Sequence, residues 1–172
     1  TASSQAANTS DPETGQTRSY GAAKAVDEDI RTWWAAASGD AGEWLQLDLG
    51  YECSVSAVQI NFGDQGSDTL GRLPADDVYQ YYVEVANGSP SAEGRAWRRL
   101  PALDRSRNTL DMPSDYVQLS GNATFRHLRL ISVRSVAHSN FSVSGLRVFG
   151  SCPREPPAAV APSSVKAVSY TH

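Results

Sequence analysis

The chain of 172 residues carries 15 Lys and Arg against 19 Asp and Glu, a net charge of −4, with 40% hydrophobic residues. That length suits one ordinary domain and a tail, and no apolar run approaches the roughly 18 residues that cross a bilayer as a helix. The acidic balance argues against nucleic acid, whose binding needs clustered cations to displace counterions.

In chain order, residues 1–21 are rich in Ser, Thr, Asn, Gln and Gly. Their turn signals at Asp11-Pro12 and Thr14-Gly15 predict a short edge strand and then a long surface loop. Residues 22–26 predict one helical turn. The stretch 25–50 concentrates the information, with three of the four tryptophans. It opens with Asp27-x-Asp29-x-x-Thr32, oxygen side chains in a tight turn, and passes through Trp33 and Trp34 into a Gly/Ser/Asp loop. It closes with an alternating strand, Leu45, Leu47 and Leu49 on one face and Trp44, Gln46 and Asp48 on the other, ending at Gly50.

Residues 53–62 predict the next strand. Val58, Ile60 and Phe62 are in phase and Val55 is not, which a bulge near Ser56-Ala57 reconciles. Residues 63–75 form a loop long enough to be a candidate for function. Residues 79–85 alternate again, with Tyr81, Val83 and Val85 on one side. Asn87-Gly88-Ser89-Pro90 marks a turn, short strands follow at 97–100 and 116–119, and 125–136 is apolar on both faces, as a central strand is. Residues 142–150 close the set. Such strands, without a helical repeat, indicate an all-β sandwich or barrel.

Residues 153–163 form a Pro/Ala-rich linker, and 164–172 resemble the first strand of a following domain. With no initiating Met and no signal-peptide pattern, the chain reads as a processed form or an excerpt from a modular protein. Cys53 opens one strand and Cys152 follows the last, leaving two alternatives: a disulfide, or two separate structural thiols.

Four pieces in order, Ala25-Val26-Asp27, Thr32-x-Trp34, Glu43-Trp44-Leu45-Gln46-Leu47-Asp48-Leu49-Gly50 and Ser144-Gly145-Leu146-Arg147-Val148-Phe149-Gly150, resemble the discoidin family. This is also called the coagulation factor V/VIII type C domain, and its bacterial members are often carbohydrate-binding modules. Trp33-Trp34 followed by Gly39-Asp40-Ala41-Gly42-Glu43-Trp44 is similar to modules appended to bacterial glycoside hydrolases of the arabinofuranosidase and β-xylosidase type. The resemblance implies an eight-stranded jelly-roll-like β-sandwich over residues 1–152, with Trp34 in the core and Trp33 turned the other way.

In that family a similar turn often holds a structural calcium, completed by a carboxylate just before the last strand. Asp27, Asp29, Thr32 and backbone carbonyls near Lys24 supply oxygen ligands of the type calcium takes, but the completing position is Gly145. The alternative is an Asx-type turn held by its own hydrogen bonds. Galactose-binding relatives carry a His just after the core Trp and an Arg after the strand ending at Phe62. Ala35 and Asp64 stand there, so that galactose site is not carried over.

Catalytic signatures are missing: no Gly-x-Ser-x-Gly, His-Glu-x-x-His, phosphate-binding glycine loop or Cys-x-x-Cys. Asp104, Asp111 and Asp115 group loosely, as turn-forming aspartates do, and His127 falls within a central strand. For sugar, the requirement is an aromatic ring against a pyranose C–H face, with polar groups for the hydroxyls. Trp33, Asp64, Arg72, Tyr79, His138, Asn140 and Phe141 are the loop candidates. Membrane binding of the coagulation-factor kind would want apolar spikes beside basic residues, and these loops are acidic and small. The expectation is a non-catalytic module of a secreted polysaccharide-degrading enzyme that binds plant-type glycan. The alternative is a scaffold docked through Trp33, Asp64 and Phe141 against a neighbouring catalytic domain.

Overall fold

Apolar-polar alternation at the start of 44–62, and β-prone residues apolar on both faces toward the end of 114–134, give two strands long enough to run through both layers of a sandwich. The computed structural model describes residues 1–63, 78–88, 96–136 and 139–153. Among them are eight strands, β1 (Thr9–Ser10), β2 (Thr17–Arg18), β3 (Trp34–Ala35), β4 (Trp44–Phe62), β5 (Gln80–Ala86), β6 (Arg98–Asp104), β7 (Ser114–Arg134) and β8 (Ser142–Ser151), with one 3-10 turn at Ala22–Ala25. The expected all-β sandwich is therefore present. The linker at 153–163, apart from Pro153, and the strand expected at 164–172 lie outside the described residues.

β1 and β2 make a small ribbon, and the other strands form one antiparallel sheet in the order β3-β8-β4-β7-β5-β6. Register shows how that sheet becomes two layers. The first part of β4 pairs with the last part of β7, Gln46 facing Arg129 and Asp48 facing His127, and the pairing then shifts between Asp48 and Cys53. Gly50 has φ 82° inside the shift, a conformation glycine reaches without a Cβ clash. Beyond the shift, the second half of β4 has β7 on one side and β8 on the other. The second half of β7 has β4 and β5. Each long strand thus changes neighbours at the bend, as strands do when they turn a sandwich corner through a bulge.

Two strands expected at 44–50 and 53–62 are one, and so are those expected at 116–119 and 125–136. The out-of-phase Val55 has its expected bulge, a register shift between Val55 and Ala57. The first 21 residues depart from the expectation. Ala2 bridges Leu45, and the segment read as a long loop folds into the β1-β2 ribbon.

Between the layers sit Trp34, Val58, Ile60, Tyr81, Val83, Leu103, Phe125, Leu128, Leu130 and Phe141, all fully buried. Each such side chain contributes roughly 1.5–3 kcal/mol of transfer free energy, offset in sum by chain entropy. Asp115, read as a turn aspartate, is instead buried under the core. It accepts hydrogen bonds from the Tyr81 hydroxyl and, at 2.8 Å, from Arg105 Nε. Burial and the neighbouring carboxylate push the Tyr81 phenol far above its ordinary range.

The two cysteines are joined, Cys53 to Cys152 across a sequence separation of 99. Ser54 pairs with Ser151 in the β4-β8 ladder, so the sheet register itself brings the cysteines together. Replacing both by Ser lowers the unfolding free energy by about 2–4 kcal/mol. Urea denaturation of the variant beside the wild type measures this, and equal midpoints would contradict it.

Candidate functional site

Successive residues of an extended chain point to opposite sides, and the Trp33-Trp34 pair uses this to serve two environments. Trp34, in β3, is fully buried, donates its indole N–H to the Ser4 carbonyl at 3.1 Å and meets Phe141 edge-on at 6.0 Å. Trp33 faces the other way, half-buried against the separate cluster of Ala6, Tyr20 and Ala35. Tyr20 lies 5.8 Å from its ring, and the Arg18 guanidinium lies 5.0 Å from the ring centroid. A Cβ at Gly63 would lie 3.2 Å from Ser142 Oγ and 3.3 Å from Trp33 Cγ, so the chain after β4 passes closely against this indole.

Arg18 also lines a polar cleft of about 600 Å³ between the β1-β2 ribbon and the 24–32 turn, with Thr9, Asp11, Lys24, Arg31 and Thr32 among its walls. The ribbon is held in place locally. Asp11 accepts the backbone N–H groups of Glu13 and Thr14 at 2.8 and 3.0 Å, bonds that lower its carboxyl pKa. Thr9 Oγ1 lies 2.8 Å from the Tyr20 hydroxyl, tying the ribbon to the ring cluster beside Trp33. The sequence reading missed Arg18 and Tyr20. Their only signal was proximity in sequence to a segment taken for a loop.

The other sugar candidates separate into three groups. Tyr79 and Phe141 are corrections: both are buried, Tyr79 stacked on Phe62 at 4.3 Å with its hydroxyl donating to the Gly63 carbonyl, and Phe141 packed against Trp34 and Tyr79. Neither ring is open to a pyranose face. They form the floor beneath Gly63 rather than a platform. Asn140 is half-buried, its Nδ2 donating to the Ala36 carbonyl at 2.7 Å, which pins the 139–141 segment to the chain just after Ala35. Asp64, Arg72 and His138 lie outside the described residues. Ala35 is fully buried, as its lack of a polar head allows, so nothing at that position reaches a ligand.

In the acidic turn, Thr32 Oγ1 donates toward both oxygens of Asp27, at 2.9 and 2.8 Å, and Asp29 N–H donates to Asp27 Oδ1 at 3.1 Å. These bonds, the hydroxyl first, hold the Asp27 carboxyl below its ordinary range. Asp29 is gripped by Arg31 through Nε and Nη2, both at 2.9 Å, and its carboxyl is lowered to about 2. These are the internal hydrogen bonds of an Asx-type turn. Among the described residues no group of three or more His, Cys, Asp or Glu is placed to share a metal ion.

On the outer face of the layer formed by β4, β7, β5 and β6, the Arg129 guanidinium lies between two indoles, 4.5 Å from the Trp44 ring and 4.2 Å from that of Trp97. Arg99 covers Tyr82 at 3.7 Å. His127 is fully buried in this layer, its Nε2 at 3.0 Å from the Gly88 carbonyl. Glu43, inside the motif that carries the resemblance, has a structural task. Burial alone would raise its carboxyl pKa, but hydroxyls of Ser3, Ser4 and Ser38 donate to it and keep it below the usual value, tying the N-terminus to the start of β4.

A family described as the NedA-like, galactose-binding domain of F5/F8 type C matches residues 24–130. No curated protein matches the chain. Solved structures share its fold. Chitosan-binding module 1 of a chitosanase/glucanase from Paenibacillus sp. IK-5 is 22% identical with a TM-score of 0.61, covering 87% of this chain and 92% of that one. The family 32 carbohydrate-binding module of Clostridium perfringens NanJ, solved with galactose, is 19% identical with a TM-score of 0.52, covering 86% and 90%. A glycoside hydrolase matches at 21% identity and a TM-score of 0.62, covering 87% of this chain but 30% of the hydrolase. At these identities the likeness is one of fold.

The hydrogen bonds at Asp27 make a specific prediction. Thr32→Val removes the hydroxyl that contributes most to its lowered pKa, so the Asp27 carboxyl moves up toward the ordinary carboxylate range. Because the folded-state pKa is the depressed one, stability linked to Asp27 is present above the unfolded-state value and is lost as pH falls through the folded value. The variant loses part of that acid dependence. A carboxyl-detected NMR titration reads the shift directly, and an unmoved titration would contradict the assignment.

Proposed function

Since this chain belongs to the F5/F8 type C family of NedA-like, galactose-binding domains, we propose that it is a non-catalytic carbohydrate-binding module of a larger polysaccharide-degrading enzyme. The observation that carries the reading is the half-buried Trp33, packed on Tyr20 with Arg18 over its ring, together with the polar cleft of about 600 Å³ that Arg18 also lines. A half-buried indole supplies apolar area at low entropic cost, and the hydroxyl, amide and guanidinium groups of the cleft beside Arg18 match the hydroxyls of a sugar.

The ligand class is a neutral, hydroxyl-rich plant-type glycan. Relatives of this fold include a module solved with galactose and one named for chitosan, but the galactose-type His is replaced by buried Ala35, so this chain uses a different set of contacts. A shallow site of this kind binds weakly, with Kd on the order of 10⁻³ to 10⁻⁵ M. The Cys53–Cys152 disulfide suits an oxidising, extracellular setting, where such bonds persist. The likeness to a 30% portion of a glycoside hydrolase supports a modular parent.

One observation favours a second reading, docking against a neighbouring catalytic domain. The outer face bearing Trp44, Trp97, Tyr82, Arg99 and Arg129 is rich in the aromatic and arginine side chains that interface centres favour.

Titration calorimetry against arabinoxylan, xylo-oligosaccharides, arabinose, galactose and chitotriose separates the two. The module reading expects saturable weak binding to at least one glycan, reduced about tenfold or more in Trp33→Ala and weakened in Arg18→Ala, whose exposed side chain leaves the fold intact. Silence across the panel from folded protein would overturn it in favour of docking.

A further inference from the structure

We propose that the acidic turn at residues 27–32 is neutralised by the chain's own side-chain cations and folds without a divalent ion. This stands apart from the sugar reading and rests on how the turn's charges are met. Each of its three carboxylates already has a cation: Lys24 Nζ is 3.3 Å from Asp27, Arg31 Nε is 2.9 Å from Asp29, and Arg147 Nη2 is 2.6 Å from Glu28. Three acids face three bases, and the cluster carries no net charge to attract a metal.

The ligand set fails on a second count. Calcium takes six to eight oxygens, and the carboxylate that the resemblance expects just before the last strand is absent. A Cβ built at Gly145 would lie 2.9 Å from Asn61 Nδ2 and 3.4 Å from Arg147 Nη1. A side chain there would have to displace the Asn61 amide, and a guanidinium already borders the space. A fixed positive charge beside the turn opposes a divalent cation as directly as a carboxylate would favour it. The donors present do not fit the ion.

Arg147 also supplies the link that a shared ligand would make. It lies on β8 opposite Gln59, and its Nε donates at 2.8 Å to Glu28, 119 residues earlier. Glu28 sits at φ 61°, the one non-glycine residue with positive φ among those described. That strained conformation turns its side chain out of the turn and toward β8. The ion pair therefore joins the turn to the closing strand, and Lys24 anchors the turn from the 3-10 segment before it.

Thermal melts of the whole chain in millimolar calcium and in EDTA test this, together with terbium luminescence sensitised by the adjacent tryptophans. The wild type should melt at the same temperature in both, within about 1 °C, and show no saturable terbium signal. A ligand at 100 times its Kd shifts a domain of this size by roughly 5–10 °C, so a saturable calcium-dependent rise in the wild type overturns the proposal. Arg147→Glu removes one cation and adds an acid. It should melt lower than the wild type in EDTA and regain part of the loss with calcium. An Arg147→Glu protein that melts like the wild type in EDTA overturns the role given to Arg147.

Discussion

The passage of β4 and β7 through both layers is the constraint on which the rest depends. A strand interrupted between Asp48 and Cys53 would give two sheets free to slide. A continuous one fixes their relative position, because the residues paired on one side of the bend set those paired on the other. The register is held in turn by a filled interior: slipping by one residue would carry Val58 and Ile60 to the solvent face. Cys53, at the bend, is bonded to the end of β8, so the corner of the sandwich is closed covalently as well.

That geometry also fixes the surroundings of Trp33, the residue on which the proposed sugar site rests. β4 ends at Phe62, whose ring stacks on Tyr79 and leans toward Tyr81 and Phe141. Gly63 then passes against Trp33, and its N–H donates to the Ser142 carbonyl at 3.0 Å. Trp33 is supported from the interior by the same strands that form the core. Arg18 of the short ribbon lies over its ring, and the buried Tyr20 packs beside it. Stacking recognition requires an aromatic ring held by its neighbours beside polar groups, and Trp33 and Arg18 are the residues proposed for those roles. The 27–32 turn precedes Trp33 directly, which is why the means of fixing that turn matters to the site.

Much of this was legible in the sequence. The Leu45-Leu47 alternation, the Val55 bulge and the opposed roles of Trp33 and Trp34 follow from period-two patterning and from the family position of Trp34. What was not legible depended on distant partners. Gly50 and Gly121 look like chain breaks locally, yet β4–β7 pairing before and after each of them makes the flanking segments one strand. Tyr79 and Phe141 adjoin loops and so read as exposed, but ring packing with Phe62 draws them inside. Asp115 resembled a turn residue because Tyr81 and Arg105, its partners, come from other segments. Arg147 gave no hint of Glu28, because nothing in a one-dimensional pattern pairs residues on a turn and a strand so far apart.

Two-dimensional ¹⁵N–¹H NMR, following the four indole N–H signals during titration with the glycan that binds, tests the central claim most directly. The account predicts progressive shifts for Trp33 and for amides of the β1-β2 ribbon, with Trp34 silent in the core. Shifts confined to Trp44 and Trp97 would contradict it, moving recognition to the outer face of the sheet.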